Sequence, residues 1–345
     1  MKRISEKCDI LIAGAGPAGC SAAMNLPDDF RVLLADGSAF PRNKTCGGVL
    51  LEKSLEFLEK TGVVPPDRVF AEPRRLSMRI IDADNDFEAE VKRNFSNVRR
   101  SAFDEWLLGR CARKAELRQL SRLEDVRKTL DGFVAVINTP SGREKILSKC
   151  VIDATGAHAF SKASARIKRP VYVAYQEKIK EEHDSFFDFI LCNRITDYYI
   201  WSIPKDGFTL VGTAFRPGNI SEKIPLFRKF VRQEMGIKKR PEKTEAGVLL
   251  RPKKEDIMFC EGGKLLAGEA AGLVSPNTGE GISFALRSGR FCAEAIKKNF
   301  DDPTGAYAGY CSGLVEEICE KTEASLVCGD TGKRIRYLKK MFRRR

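Results

Sequence analysis

Cys8-Asp9-Ile10-Leu11-Ile12-Ala13-Gly14-Ala15-Gly16-Pro17-Ala18-Gly19, with Val32-Leu33-Leu34-Ala35-Asp36 behind it, is the stretch that decides the fold of this 345-residue chain. The apolar run ending at Ala13 reads as a buried strand. The small residues from Pro17 onward read as a helix lying close upon it. Gly14 permits the tight turn between them. Gly16 has no Cβ, so a pyrophosphate can approach the backbone there, and Gly19 lets the helix pack against the sheet. The helix start at Pro17 and Ala18 offers N–H groups and a positive dipole end to phosphates. Asp36, closing the next strand, is placed to accept hydrogen bonds from a ribose. The glycine spacing alone is a weak signal. Strand, turn, helix and acid in this order make a dinucleotide site the expected reading.

A second signature lies far downstream: Leu265-Leu266-Ala267-Gly268-Glu269-Ala270-Ala271-Gly272, then Ser275-Pro276-Asn277-Thr278-Gly279-Glu280-Gly281-Ile282. Two separated motifs on one nucleotide domain argue for FAD rather than NAD. Between them, an apolar strand over residues 149–156 closes on Ala154-Thr155-Gly156 and should return the chain to the sheet beside the first strand.

Composition excludes several classes. No stretch approaches the ~20 apolar residues of a membrane span. Lys2, Arg3 and Lys7 before an apolar run imitate a signal peptide, but the glycine fingerprint accounts for that run and argues against export. Eleven scattered cysteines with no C-x-x-C pair argue against a disulfide framework or zinc site and for a reducing cytoplasm. Two histidines, His158 and His183, make a histidine metal centre or a Ser-His-Asp triad a poor fit, so no metal is expected. The net charge of +13 concentrates at Lys333, Arg334, Arg336, Lys339, Lys340, Arg343, Arg344 and Arg345, interleaved with Ile335, Leu338, Met341 and Phe342. That pattern reads either as a basic amphipathic helix on an anionic membrane surface, making the protein peripheral, or as a solvated tail. No nucleic-acid motif accompanies the charge, so no nucleic-acid partner is expected.

The expected fold class is α/β with an α+β insert: a Rossmann-type FAD-binding domain (1–168 and 261–300), an inserted antiparallel-sheet substrate domain (169–260), and a C-terminal helical region with a basic tail (301–345). Residues 101–115, 223–235 and 282–298 carry helical periodicity. Short Tyr-, Phe-, Ile- and Val-rich runs at 171–176, 187–192, 198–203 and 208–215 read as the inserted sheet. Ser141-Gly142 reads as a hairpin turn.

These residues resemble the geranylgeranyl reductase family of FAD-dependent oxidoreductases, within the group that includes the aromatic hydroxylases, over nearly the whole length. Lys44-Thr45-Cys46-Gly47-Gly48 is similar to that family's K-x-C-G-G loop. Arg100-Ser101-Ala102-Phe103-Asp104 is similar to its R-x-x-F-D helix start, Tyr199-Ile200-Trp201-Ser202-Ile203-Pro204 to its Y-x-W-x-F-P segment, and Gly268-Glu269-Ala270-Ala271-Gly272 to its G-D-A-A-G motif. Glu269 stands where that motif has Asp, Ile203 where the segment has Phe, and Thr196 where a Pro often begins it. These departures bear on substrate more than on FAD.

The resemblance implies roles. Gly268 and Glu269 would meet the pyrophosphate and ribityl chain. Pro276, Gly279, Gly281 and Ile282 would lie by the isoalloxazine ring, with a helix from Gly281 aiming its N–H groups at the flavin N1/C2=O edge. Arg100, Arg42, Gly47 and Gly156 would also contact FAD, the two arginines having a solvated surface role as the alternative. Cys46 would sit on a flexible loop near the flavin, its pKa lowered by Lys44, to position substrate, donate a proton or modulate redox; the other reading is a packing residue. Tyr199 and Trp201 alternate on a strand and so face one side, as cavity lining or as sheet-face core. The implied activity is reduction of C=C bonds in an isoprenoid lipid or prenyl diphosphate, by hydride from flavin N5 and a proton from water, Cys46 or Tyr199. The absence of a second nucleotide fingerprint points to an external electron donor, NAD(P)H or a ferredoxin-like protein. Two other readings stand beside it. One is a monooxygenase or halogenase on an apolar or aromatic substrate, since Tyr199–Pro204 partly matches the halogenase W-x-W-x-I-P segment. The other is an electron-carrying flavoprotein without catalysis.

Overall fold

A computed structural model describes residues 4–158, 171–182 and 185–343. Its helices are α1 (Pro17–Asn25), α2 (Glu52–Lys60), α3 (Arg100–Cys111), α4 (Ile220–Gln233), α5 (Ile282–Lys298), α6 (Thr304–Cys328) and α7 (Thr331–Arg343). Among the described residues no helix is long and apolar enough to cross a membrane. His183, Arg344, Arg345 and the expected boundary at 168/169 lie outside the described residues.

The first sheet is built around the decisive stretch. Glu6–Ala13 pairs in parallel with Val32–Ala35 on one side and Gly142–Asp153 on the other, and Lys264–Leu266 extends the sheet in parallel beyond that. Parallel strands covered on both faces need apolar residues at successive positions, and Ile10, Leu11 and Ile12 are all fully buried. The glycines divide their roles as expected. A Cβ on Gly19 would lie 1.8 Å from the Gly14 carbonyl oxygen, so α1 could not approach the strand with any other residue. Gly14 turns at φ +100°, with the Ala154 carbonyl oxygen 2.3 Å from where its Cβ would stand. Helices α1, α3 and α5 cover one face; the antiparallel hairpin Arg122–Thr129 and Gly132–Thr139 continues from Gly142–Asp153.

The second sheet runs in the order Pro241–Leu250, Val171–Ile179, Phe208–Phe215, Ile200–Lys205, Phe186–Leu191, Phe70–Asp82, Phe87–Val98 and Val49–Leu50. This corrects the expected domain division. Val49–Leu50, Phe70–Asp82 and Phe87–Val98 precede the inserted segment in sequence but lie in its sheet, and Phe186–Leu191 pairs with Phe70–Asp82 in parallel rather than antiparallel. Helix α4 buries Phe227, Phe230 and Val231 against Tyr175, Ile190 and Val211 on one face. The other face carries Leu76, Phe95, Phe189, Tyr199, Trp201 and Ile203.

The C-terminal helix corrects a second expectation. It is amphipathic, but its apolar side is already occupied. Leu338 is buried on the second sheet, Met341 and Phe342 pack beside it, and the Phe342 ring lies 6.0 Å from Phe87. Arg334, counted above among the tail charges, is 1 % exposed. Its guanidinium donates to Asp82 at 2.6 and 2.8 Å, to Asp84 at 2.8 Å and to Asn193 at 2.8 Å. Lys333, Arg336, Lys339 and Lys340 remain exposed.

Candidate active site

The strands of the first sheet end together at Ala13, Ala35, Asp153 and Leu266. Ligands of open parallel sheets bind outside these carboxyl ends. Here the Asp36 carboxylate accepts from the Ala15 N–H at 2.8 Å and the Ser38 N–H at 2.8 Å, and pairs with Arg42 at 3.2 Å. No side chain caps the start of α1 at Gly16. A Cβ on Gly16 would meet nothing closer than the tip of Arg42, at 3.1 Å. An uncapped helix start, a bare backbone face and a cation together form a cradle for a pyrophosphate. The residues present therefore fit a dinucleotide.

Arg42 begins a line of charges. It reaches Asp104 at 3.3 Å; Asp104 is gripped by Arg100 through both oxygens at 3.0 Å; and Arg100 stands against the Cys46 sulfur. Arg100 and Arg42 thus have partners rather than solvated surface positions. Arg100 acts on Cys46, while Arg42 borders the cradle.

The Cys46 loop is clamped rather than flexible. Gly48 turns at φ +68°, its carbonyl accepts from the Val98 N–H at 2.8 Å, and its own N–H points at the Cys46 sulfur at 3.4 Å. A Cβ on Gly47 would collide with Ile203 at 2.4 Å. Burial alone would push the Cys46 thiol up; the Arg100 charge, the Gly48 N–H and Lys44 outweigh it and bring it below an ordinary cysteine. Beneath the loop, Lys205 donates to the Val98 carbonyl at 2.6 Å, and burial pushes its ammonium down to about 7. Sequence reading missed Lys205, although it directly follows the Tyr199–Pro204 segment.

The downstream motif closes the other side. Glu269 accepts from the Leu250 N–H at 3.1 Å and faces Lys44 at 3.8 Å. Gly268, Gly279 and Gly156 all have positive φ. The Pro276 carbonyl accepts from Arg251 at 3.1 Å. Helix α5 starts at Ile282 with Gly281 as its N-cap, as expected, but Glu280 already accepts from the Ser283 N–H at 2.8 Å. The protein itself supplies part of the negative charge that this helix end attracts.

Between Cys46 and the 277–282 loop on one side and α7 on the other lies a cavity of about 770 Å³. Tyr199 and Trp201 both line it, with Phe189 stacked on Tyr199 at 3.9 Å. The Tyr199 hydroxyl donates to the Thr278 carbonyl at 2.8 Å, and Trp201 donates to Gln176 at 3.1 Å. Tyr198, which sequence reading passed over, lines it too. It precedes the strand, so alternation does not turn it away. Leu338, Met341 and Phe342 supply the far wall. Cations gather where α2, α5 and α6 meet. Lys53 and Arg287 share the Glu317 carboxylate, while Lys321 lies 4.6 Å from the Phe284 ring with burial and then Lys53 lowering its pKa.

The family model for lycopene cyclase protein matches residues 9–184, just over half of the chain. The chain belongs to the lycopene cyclase protein family. Protein CbrA of Escherichia coli O9:H4 (strain HS) is 27 % identical over 316 residues, covering 88 % of this chain and 85 % of that protein. A geranylgeranyl bacteriochlorophyll reductase-like protein from Thermoplasma acidophilum superposes with a TM-score of 0.81 at 23 % identity, over 95 % of this chain and 87 % of that one. The flavin-dependent halogenase CmlS superposes at 0.71 and 19 % identity, over 91 % of this chain and 63 % of its own. The fold is the Rossmann-type fold of FAD-binding flavoproteins, and the resemblance to geranylgeranyl reductase-like proteins drawn from the sequence holds at that level.

Proposed function

We propose that the protein is an FAD-dependent reductase that saturates C=C bonds of an isoprenoid lipid or prenyl diphosphate. The observation that carries this reading is the aromatic-walled cavity running from Cys46 to α7, mainly apolar, with Lys53 and Lys321 beside Glu52, Glu56 and Glu280 in its wall. Such a chamber suits a long hydrocarbon. The names of the family and of the Thermoplasma structure both point to isoprenoids. Gly14, Gly16, Pro17, Ala18, Gly19 and Asp36 would hold the adenosine diphosphate half of FAD. Gly268, Glu269 and the 276–282 loop would hold the flavin half. When bound and reduced, the flavin supplies a hydride to one alkene carbon.

A proton must reach the other carbon. Tyr199 is a poor donor: its hydroxyl is engaged with Thr278, and burial pushes its pKa up. Cys46 is the better one, because a lowered pKa makes a thiol a stronger acid. Cys46→Ala is expected to keep FAD and lose turnover by about 100-fold. In the unsubstituted protein the rate should fall as pH rises through the Cys46 pKa, since only the thiol form donates. That limb should vanish in the variant. A pH–rate profile of both proteins checks it, and an unchanged rate returns Cys46 to packing. Electrons would come from an external donor, a nicotinamide or a ferredoxin-like protein.

The function is tested by anaerobic photoreduction and rapid mixing with geranylgeranyl diphosphate or a geranylgeranyl lipid. Reoxidation with formation of the saturated product supports the reductase. Reoxidation only by oxygen, with a hydroxylated or halogenated product, supports the monooxygenase–halogenase reading. A cyclised product with no net reduction moves the assignment to the chemistry in the family's name.

We further propose that the exposed side of α7 rests on anionic membrane. Lys333, Arg336, Lys339 and Lys340 face outward, while Leu338 and Phe342 serve the cavity, so this contact is electrostatic. At roughly 1 kcal/mol per cation, Lys339→Glu with Lys340→Glu should weaken binding to phosphatidylserine vesicles by about tenfold or more. Salt should mimic the effect. Equal co-sedimentation of variant and parent would refute the contact.

A further inference from the structure

Among the described residues, four buried side-chain atoms have no hydrogen-bond partner: Ser54 Oγ, Asn97 Oδ1, Asp153 Oδ2 and the Tyr198 hydroxyl. Only Tyr198 belongs to a residue lining the cavity. The side chain is well ordered by its surroundings. Its ring lies 4.8 Å from Tyr199 and 6.0 Å from Tyr172, and the Arg251 guanidinium sits 5.5 Å from it. The residue is 4 % exposed. The hydroxyl abuts the 275–281 loop: a Cβ on Gly279 would stand 2.6 Å from it. The bare glycine makes room for the phenol, and the phenol receives nothing in return. Leaving a buried hydroxyl unsatisfied is costly, so a partner that arrives with a ligand is the economical explanation.

Two considerations identify that partner. The neighbouring phenol, Tyr199, already donates to Thr278 in the same loop. One tyrosine therefore braces the loop, and the other is left over. Under the reading proposed above, the substrate is a hydrocarbon chain with no acceptor along its length. Under the same reading the 276–282 loop holds the flavin half of FAD, whose polar ring edge would bring acceptors. Burial also pushes the Tyr198 pKa up, which keeps the phenol protonated and able to donate.

We propose that Tyr198 holds the cofactor: its hydroxyl donates a hydrogen bond to a polar atom of the isoalloxazine ring lying against the 275–281 loop. The inference rests on both parts of that reading, the bound flavin and the hydrocarbon substrate, and its test is made without substrate. A donor at that edge favours the reduced, more negative flavin over the oxidised one, so the same contact would raise the flavin's reduction potential.

The test is Tyr198→Phe, which keeps the ring and its neighbours. Three measurements are made: FAD dissociation constant from fluorescence titration of the apoprotein, two-electron midpoint potential of the holoprotein, and melting temperature of the apoprotein. Expected are FAD binding weakened by about three- to tenfold, a lower midpoint potential, and an apoprotein melting at or above the parent's temperature. Tyr199→Phe, which removes a satisfied hydroxyl, should instead lower the apoprotein melting temperature. An unchanged dissociation constant and potential would overturn the proposal. So would an apoprotein destabilised as much by Tyr198→Phe as by Tyr199→Phe. A parent chain that binds no FAD would sink the flavoprotein reading itself, and is recognisable before any variant is made.

Discussion

Gly16→Val should give folded, colourless protein, with FAD bound roughly 100-fold or more weakly, a loss of about 2.7 kcal/mol. The glycines of the fingerprint face different surroundings. At Gly14 and Gly19 a Cβ would strike backbone, at 2.3 Å from Ala154 and 1.8 Å from Gly14. Substitution there attacks the packing of α1 on the sheet and should leave insoluble or unfolded chain. At Gly16 a Cβ would meet only the movable end of Arg42, so the fold survives. What the valine fills is the face on which the pyrophosphate must lie. The check is a pair of measurements on the purified variant: circular dichroism matching the parent, and FAD titration followed by flavin fluorescence. Parent-like affinity would mean that the cradle is not where the cofactor sits.

Arg334→Ala should be among the most destabilising single changes in the chain, costing about 3–5 kcal/mol. Arg334 is 1 % exposed, with Asp82 fully buried beneath it and Asp84 at its side. Removing the guanidinium leaves the buried Asp82 without its counter-charge, beside Asp84, which keeps the exposed Arg194 at 3.7 Å. Removing both sides of such a cluster is far less harmful than removing one. Arg334→Leu with Asp82→Asn and Asp84→Asn should therefore recover part of the loss. Denaturant unfolding of the single and triple variants decides this. A single variant within 1 kcal/mol of the parent would show that the cluster is solvated in practice. Because α7 carries Leu338, Met341 and Phe342, the single variant should also open the far wall of the cavity, and apolar dye binding should rise.

What could be read from the sequence was what short-range sterics decide. The three glycine roles follow from the few residues around each: the turn at Gly14 and the close packing at Gly19 are there, and Gly16 has the open backbone face that its expected role needs. The start of α5 at Ile282 and the shared side of Tyr199 and Trp201 are equally local, being set by caps and by strand alternation. The strands over 70–98 show why local reading runs out. Leu76, Met78 and Ile80 alternate as a strand should, yet their partner Phe186–Leu191 lies about a hundred residues away and runs parallel. Nothing in either segment names the other. The C-terminal helix is a different failure. Its amphipathic pattern is plain, but an apolar stripe is satisfied equally by lipid or by a sheet, and only the fold supplies Leu338 with Trp201 and Phe189 as cluster partners. Tyr198 was overlooked because the expected strand over 198–203 turns it away from Tyr199, whereas the strand begins only at Ile200 and both tyrosines line the cavity.

The interleaving of the two sheets has a consequence for how this molecule can come apart. The nucleotide sheet draws on residues 6–35, 116–153 and 260–266, and the second sheet on 49–98 and 171–250. Neither is a continuous piece of chain. Cutting out the inserted region would strip Phe186–Leu191 of its neighbour Phe70–Asp82. Deleting that region would leave Phe70–Asp82 with a bare edge in turn. A protease nick between the sheets would release nothing, and no excised half should refold by itself. Melting should therefore be a single cooperative event, in which a cofactor gripped by one sheet stabilises the other as well.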